Sequence, residues 1–188
     1  MLFKRLTEQV GEHQRIKDIA SLVTQRADFS EIETGLYVST ENIEQNKEGI
    51  VSFGSTSAHE RVVRFLPRDI LLANIRPYFK KIHLSNEIGG CNSDVLCLRG
   101  ANENLSFLLY FALRQDSFFD YVMSGAKGTK MPRGDKAHIL EYELPALNEQ
   151  SLKRFGLQSE ILLRSIRARK REINVLKRTR NTMLDSLS

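Results

Sequence analysis

The chain lacks tryptophan altogether and has only two cysteines and four prolines among its 188 residues. Two cysteines, Cys91 and Cys97, are too few for a disulfide framework, and we expect both to be small buried apolar residues. No apolar run approaches the roughly eighteen residues that a membrane-spanning helix needs, and the charged N-terminus has no apolar segment typical of a signal peptide. These absences predict a soluble cytoplasmic protein that has no membrane partner.

The sequence also lacks the motifs of common enzymes. It contains no Walker loop for phosphate and no glycine-rich turn for a dinucleotide. No Asp or Glu is followed two positions later by Lys, an arrangement that restriction-type nucleases commonly need in their metal site. The histidines lie too far apart for a zinc site with the cysteines; they are His13, His59, His83 and His138. We therefore expect no catalytic residues, no metal ligands and no bound cofactor.

Local patterns predict a β-rich half followed by helices. Apolar positions at 16, 19, 20 and 23 fit one face of a short helix, after which the period changes to two. Strands are predicted at 35–39, 50–53, 61–65, 69–75, 80–84 and 94–98, separated by Gly, Pro, Asn and Ser. Helix returns at 105–113, with Asn104 as the expected N-cap. Residues 118–122 continue this apolar helical pattern.

A glycine-rich loop and a long helix complete the chain. Residues 124–134 contain three glycines, a proline and three basic residues, which predicts a loop. A short helix or turn is expected at 136–140, a strand at 141–144, and Asn148 as the N-cap of the terminal helix. The fold class is therefore α+β, with a β-rich globular domain at 1–146, flanking helices, and a long C-terminal coiled-coil helix at 147–188.

The terminal helix has the pattern of a helix that pairs with another chain. After residue 145 there is no proline and one glycine, and apolar residues recur at alternating steps of four and three. The apolar positions of this seam are Phe155, Leu162, Ile166, Ile173, Leu176, Met183 and Leu187, and they are interrupted by Ser159, Arg169 and Arg180. The seam would span about 50 Å, too long for this domain to cover alone. We expect part of it to contact a second chain.

Positive charge is concentrated in this helix and in two clusters. Residues 151–188 hold ten Lys or Arg against three acids, a net of +7, whereas residues 1–150 hold eighteen against twenty, a net of −2. The first cluster comprises Arg76, Tyr78, Lys80 and Lys81, and the second, in the glycine-rich loop, comprises Lys127, Lys130 and Arg133. Both suit a polyanion, although such clusters also occur as a solvated rim.

Several segments, taken in order, resemble the DNA specificity (S) subunits of type I restriction-modification systems. Residues 66–82, LPRDILLANIRPYFKKI, are similar to the strand pair of that family that reads "gly-asp-ile-leu", then "ile-arg-pro-tyr", then "lys". The segments CNSDVLCLR at 91–99, SGAKGT at 124–129 and LPALNEQ at 144–150 follow in the same order as in the family. One departure is Pro67-Arg68, which stands where a glycine commonly precedes the aspartate.

The resemblance implies a half-size specificity subunit without catalytic activity. Family members typically have two target-recognition domains joined by two long antiparallel helices, and this chain has the length for one of each. The implied partners are double-stranded DNA, the methyltransferase and restriction subunits of the same system, and a second copy bound through the terminal helix. Residues 1–146 would then be the target-recognition domain, and residues 147–188 the dimerisation and spacer helix.

The resemblance also directs attention to residues for DNA contact. The expected phosphate contacts are Arg76, Lys80, Lys81, Lys127, Lys130 and Arg133. Base contacts are expected among Asn74, Tyr78, Thr129 and the polar stretch 45–47. The competing interpretation is a coiled-coil interaction or scaffold protein that does not bind DNA and whose basic residues only solvate it. A free-standing nuclease or methyltransferase would require the motifs that are missing.

Overall fold

The computed structural model describes residues 11–185. The elements in chain order are β1 (His13–Arg15), α1 (Ile16–Ile19), β2 (Ala20–Leu22), β3 (Arg26–Asp28), β4 (Tyr37–Val38), β5 (Ile43–Glu44), β6 (Gly49–Ile50), β7 (Arg61–Phe65), β8 (Ile70–Ala73), β9 (Ile82–Leu84), β10 (Gly89–Cys91), β11 (Val95–Gly100), α2 (Glu103–Leu113), α3 (Asp116–Ser124), α4 (Lys136–Leu140), β12 (Glu143–Pro145) and α5 (Glu149–Asp185). Short 3₁₀ turns lie at Phe29–Glu31 and Pro77–Phe79. This order confirms the predicted α+β class with a long C-terminal helix.

Two four-stranded sheets pack face to face in the globular part. The first has the strand order β2-β11-β8-β9, with all neighbours antiparallel, and the second has the order β3-β7-β10-β4, in which β10 and β4 run parallel. Phe65 and Cys91 of the second sheet pack with Leu71 and Cys97 of the first. Because side chains alternate along a strand, Leu72 lies on the opposite face of the first sheet, in the second core. Both cysteines are free and buried, as predicted.

Helices α2 and α3 cover that opposite face of the first sheet. Phe107 and Phe118 are fully or almost fully buried there. The N-cap of α2 is Asn102, whose side chain accepts a hydrogen bond from the Leu105 amide at 3.0 Å. The predicted cap, Asn104, is therefore wrong by two residues. Asn104 lies within the first turn instead, where its side chain faces α5.

Tertiary pairing overrides the predicted N-terminal helix. Helix α1 ends at Ile19, and Ala20–Leu22 pairs antiparallel with the central strand β11, with Leu22 opposite Leu98. A strand partner therefore decides the conformation of residues whose spacing alone fits a helix. The predicted strand at 61–65 and short helix at 136–140 agree with β7 and α4, whereas the other predicted strands differ from the observed ones by one to three residues at one or both ends.

The first half of α5 packs on the domain. The helix has 37 residues and is about 55 Å long. Asn148 caps it as predicted, since its Oδ1 accepts a hydrogen bond from the Ser151 amide at 2.9 Å. The Phe155 ring meets the Phe111 ring of α2 edge-on, with 5.6 Å between centroids. A Cβ at Gly156 would overlap the side chain of Asn104, so the two helices approach closely at this glycine.

The seam that the sequence predicted is divided between the domain and solvent. Phe155 was expected to contact a second chain, but it is 0% exposed and fills the domain's own core, so its assignment to dimerisation is corrected. The other described seam residues are exposed: Leu162, Ile166, Ile173, Leu176 and Met183. Leu187 lies outside the described residues. Every residue from 171 to 185 is exposed. In residues 11–185 no helix combines the length and the apolar character needed to cross a membrane.

Candidate nucleic-acid interface

The structure brings the two basic clusters of the sequence together at one end of strands β8 and β9. The Arg76 amide donates a hydrogen bond to the Pro132 carbonyl at 2.8 Å, and the Gly134 amide donates one to the Asn74 carbonyl at 3.1 Å. Ile75 and Arg133 form an isolated antiparallel bridge. Segments about 55 positions apart in the sequence thus form one continuous surface.

The second cluster lies on a small backbone loop that protrudes from this surface. The Lys127 and Arg133 amides each donate to the other's carbonyl at 2.9 Å, which closes the loop. Gly128 has φ of +93°, a conformation that favours glycine, and it allows the chain to reverse. Thr129 and Lys130 are exposed at the tip. The loop therefore offers a hydroxyl and an ammonium group without side-chain rearrangement.

The first cluster lies on a backbone held in an uncommon conformation. Arg76 and Lys80 flank the 3₁₀ turn and have φ of +50° and +53°, which non-glycine residues rarely adopt. Such residues are common at functional sites when surrounding contacts fix them. Tyr78 at the centre of the turn is 46% exposed, and its ring meets Phe79 edge-on with 4.7 Å between centroids. Nearly half of the Tyr78 residue is thus open to solvent.

A third segment, the turn at Asn46 and Lys47, completes the surface. Both residues have positive φ values, of 55° and 67°. The Asn46 amide donates to the Phe79 carbonyl at 3.0 Å, and the Lys47 amide donates to the Lys80 carbonyl at 2.8 Å. The polar stretch 45–47, expected among base contacts, therefore lies directly beside the first cluster. We call the seven cations of these three segments the basic surface: Lys47, Arg76, Lys80, Lys81, Lys127, Lys130 and Arg133.

Three carboxylates hold cations of the basic surface in place, and sequence reasoning did not identify them. The Asp116 carboxylate at the start of α3 accepts hydrogen bonds from Lys80 at 2.7 Å and Lys47 at 2.9 Å. These two ammonium groups, Lys80 first, lower the pKa of Asp116 to about 2. Asp116 lies two residues before the predicted 118–122 segment, and the sequence does not reveal which lysines fold against it. Its effect is to orient two cations on the same side of the surface.

The remaining ion pairs lie around the protruding loop. Lys127 pairs with Asp135 at 2.6 Å, and this contact raises the pKa of Lys127 and lowers that of Asp135. Arg133 pairs with Asp94 at 3.0 Å. Seven cations against three carboxylates leave a formal charge of +4 (7 − 3). The surface is therefore positive even after these contacts.

Two predicted contact residues are less accessible than expected. Asn74, expected among base contacts, is 8% exposed, and its Oδ1 has no hydrogen-bond partner among the described residues. It lies behind Gly134, where a Cβ would come within 2.7 Å of that oxygen. Lys81 donates to the Thr40 carbonyl at 2.7 Å. Asn74 is thus largely buried beside Gly134, and its contact with a base stays a prediction.

The described residues do not assemble the ligand set of a metal site. Across positions 11–185 no group of three or more His, Cys, Asp or Glu side chains lies close enough to hold a metal ion. The carboxylates of the basic surface instead each face lysine or arginine. What the arrangement offers chemically is a set of positioned cations, an exposed tyrosine ring and an exposed hydroxyl.

Solved structures show what this fold is similar to. No protein-family model and no curated protein matches the sequence. The HsdS subunit from Thermoanaerobacter tengcongensis superposes with a TM-score of 0.61 at 20% identity, covering 85% of this chain and 44% of that one. A structure described as showing complex assembly and conformational transition of the type I R-M system gives a TM-score of 0.60 at 22% identity, with the same coverage.

A third structure agrees with these two. The S subunit of a type I restriction-modification system from M. genitalium superposes with a TM-score of 0.53 at 14% identity, covering 80% of this chain and 38% of that one. The chain therefore has the fold of a type I S subunit, as the resemblance predicted, and it spans less than half the length of these relatives.

Proposed function

We propose that this chain, with its S-subunit fold, is a sequence-specific DNA-binding module of a type I restriction-modification system. The observation that carries the proposal is the basic surface, where three segments distant in sequence meet with a formal charge of +4 on that fold. Arginine and lysine contacts to phosphates would fix the register of the protein on duplex DNA, and base-edge contacts would supply specificity. The chain's own role would be readout and not catalysis.

The proposed contacts are of these two kinds. Phosphate contacts are proposed for the six cations expected from the sequence, together with Lys47, which the fold adds. Base contacts are proposed for Tyr78 in the 3₁₀ turn, for Thr129 at the tip of the protruding loop, and for the polar turn at 45–47, whose Gln45 and Asn46 are exposed. Residues 1–146 would form the recognition domain, and residues 147–188 the helix that joins it to other subunits.

Helix α5 supports the proposed assembly. Its distal half extends from the domain with Ile173, Leu176 and Met183 more than 45% exposed. An antiparallel pair of such helices would bury these side chains and would hold two recognition domains at a fixed distance. Methyltransferase and restriction subunits would be the further partners. Two identical domains related by a two-fold axis would read the same half-site in inverted orientation.

The test is the salt dependence of DNA affinity in the complex assembled with methyltransferase subunits. Lys130 is exposed and forms no ion pair with any described residue. We expect Lys130→Ala to weaken binding and to reduce the slope of log K against log salt by about 0.9, the value for one released phosphate contact. Lys153→Ala is the matched control, because Lys153 pairs with Glu149 on α5, away from the basic surface. Equal slopes for the two variants would contradict the proposal.

A second function is favoured by a groove beside α5. A cavity of about 900 Å³ lies between this helix and the β5–β6 hairpin, and its walls include Val51, Phe53, Ile166 and Ile173. Its walls also include charged residues such as Arg167 and Lys170, and a groove of this size with mixed walls could receive a protein segment, so an assembly role without DNA would also suit the molecule. Native pull-down with mass spectrometry distinguishes the two, because only the first function predicts methyltransferase subunits in the complex.

A further inference from the structure

The turn that precedes β8 contains an arginine in a backbone conformation that favours glycine. Arg68 has φ of +75°. A side chain in this region is strained unless the surrounding structure holds the backbone there. In this turn the neighbouring residue, Asp69, provides that restraint, because its carboxylate is 1% exposed and accepts a hydrogen bond from the Leu66 amide at 2.7 Å. Arg99 binds the same carboxylate with two nitrogens, at 2.8 and 2.7 Å.

This restrained backbone directs the Arg68 side chain onto helix α5. Its Nη2 donates to Glu160 of α5 at 3.2 Å, and its Nε donates to Glu103 of α2 at 3.3 Å. The guanidinium also lies over the Phe107 ring, 4.7 Å from the centroid. Only 21% of the side chain is exposed. One planar group therefore joins the domain, α2 and α5, which a single-point ammonium cannot do.

The same turn is connected to the basic surface through two hydrogen-bonded strands. The Arg68 amide donates to the Ser85 carbonyl at 2.9 Å, which places the turn at the end of the paired strands β8 and β9. The opposite end of these two strands carries the 3₁₀ turn of the basic surface. A short hydrogen-bonded ladder thus connects the contact with α5 to the proposed DNA contacts. Any tilt of α5 at this contact changes its angle to that surface.

We propose that Arg68 is a positioning residue that fixes the angle at which α5 leaves the domain and thereby the spacer length of a bipartite DNA target. The spacer part of this inference rests on the proposed function. From Glu160 to Asp185 the helix extends about 38 Å. A tilt of about 5° at Glu160 moves the distal end by about 3 Å, which equals the rise of roughly one base pair. A small change in the angle of the helix therefore moves its distal end by a distance comparable with one base-pair step.

The first experiment measures the angle directly with spin labels at Asp120→Cys on α3 and Arg178→Cys on α5. Both sites are exposed, and both native cysteines are buried, so the labels attach to the introduced residues. Mixing the labelled chain with an excess of unlabelled chain removes the distances between labels on different copies. Arg68→Gly is the test variant, because glycine adopts the required φ without strain and removes every contact of the side chain. The distance distribution is expected to become about twice as wide as in the parent chain, because the helix loses the guanidinium contact that restricts its angle, although Phe155, Leu163 and Lys170 still attach it to the domain.

Two further variants separate this contact from general effects on α5. Glu160→Gln removes the charge of the same contact from the helix side and should widen the distribution in the same direction. Arg164→Ala is the matched control, because Arg164 also pairs with Glu160 at 3.3 Å but lies on the same helix. The distance distribution of the Arg164→Ala variant should remain that of the parent chain. An unchanged distribution in Arg68→Gly, or equal widening in Arg164→Ala, would overturn the proposal.

The second experiment measures the spacer in the complex with methyltransferase subunits by sequencing methylated sites. The parent complex should modify sites with one spacer length, and the Arg68→Gly complex should also accept a spacer that differs by one base pair. If the helix angle becomes variable and the spacer remains unique, Arg68 does not set spacing. If the parent complex has no bipartite target, the proposed function fails and the spacing claim fails with it, whereas the distance measurement still decides whether Arg68 holds the helix.

Discussion

The two halves of α5 share the apolar heptad spacing but differ in their surroundings. Between Glu149 and Lys170 the helix contacts the domain through buried Phe155 and Leu163 and through polar contacts such as Lys170 to Glu48 at 3.0 Å. From 171 to 185 every residue is exposed, although the apolar spacing continues. The face of α5 that contacts the domain therefore shares Phe155 with the heptad seam and then departs from it, because Leu163 is buried whereas Leu162 and Ile166 of the seam are exposed. The proximal half attaches the helix to its own domain, and the distal half presents apolar side chains to the surroundings.

The difference arises from residues outside the helix. The proximal half packs against α2 because Phe111 of that helix contacts Phe155 and because Gly156 allows the two helices to approach. The distal half is not buried in this way: its side chains are exposed, and those of Ile173 and Lys177 border the groove beside the β5–β6 hairpin. The buried proximal half fixes the direction in which the helix leaves the domain. A helix that sets the distance between two DNA-binding domains needs such a fixed direction. The predictions below test this division of α5 and then the surface that it would position.

The largest expected effect is from Phe155→Ala in the proximal half. Removing a fully buried phenylalanine leaves a cavity, and we expect the free energy of unfolding to fall by about 3–5 kcal/mol. Urea denaturation followed by circular dichroism measures it. Leu157→Ala, at a position that is 63% exposed on the same half, is the control and should change stability by no more than about 0.5 kcal/mol. Similar losses in the two variants would contradict the proximal attachment.

The next effect is from Leu176→Glu in the distal half, and it should appear in association and not in folding. A charge placed in the apolar seam without a partner should weaken self-association by about 3 kcal/mol, on the order of 100-fold in the dissociation constant. Sedimentation of the chain over a range of concentrations measures this. Asn181→Glu adds the same charge away from the seam and should associate as the parent does. The distal half would not be an interface between copies if both variants behaved identically.

The smallest effect is from Asp116→Asn at the basic surface. Because the pKa of Asp116 is lowered to about 2, its contacts with Lys80 and Lys47 stabilise the fold above pH 4 and are lost as the pH falls towards 2. The substitution removes a negative charge beside the proposed phosphate contacts, so we expect DNA affinity at neutral pH to increase about three-fold. Fluorescence anisotropy with duplex DNA measures it.

The control for that measurement is Asp120→Asn, on the same helix. Asp120 is exposed and makes no ion pair with the basic surface in residues 11–185. The affinity of the Asp120→Asn variant for DNA should remain close to that of the parent chain. A gain of the same size in both variants would mean that only the net charge of the protein matters, and the specific position of Asp116 would then be irrelevant to binding.

The sequence predicted elements whose pattern is strong and local, and it was wrong where distant residues decide. Strand β7 and helix α4 lie where their periods predicted them. Residues 20–22 have the spacing of a helix, yet they pair with β11 because an edge of the first sheet is available to them. Phe155 has the correct heptad position for contact with a second chain, but it packs against Phe111 of α2 in its own domain. A periodic pattern indicates that a face is buried and does not identify what buries it.

The candidate site was predictable in part for the same reason. The cations of two clusters are visible in the sequence, because each cluster is contiguous. Their meeting depends on the bridge between Ile75 and Arg133, and the anchoring by Asp116 depends on the packing of α3 against the 3₁₀ turn. No local signal carries either contact. Asn74 shows that a place beside a basic cluster does not predict exposure, since its side chain is 8% exposed and faces Gly134.

The most direct measurement of the central proposal is methylation sequencing of DNA from cells that express this chain together with its cognate methyltransferase. Two identical recognition domains held by paired α5 helices predict one modified motif, an interrupted palindrome with a single spacer length. An asymmetric bipartite motif would mean that α5 pairs with a different half, and the absence of any motif that depends on this chain would contradict its role in reading DNA.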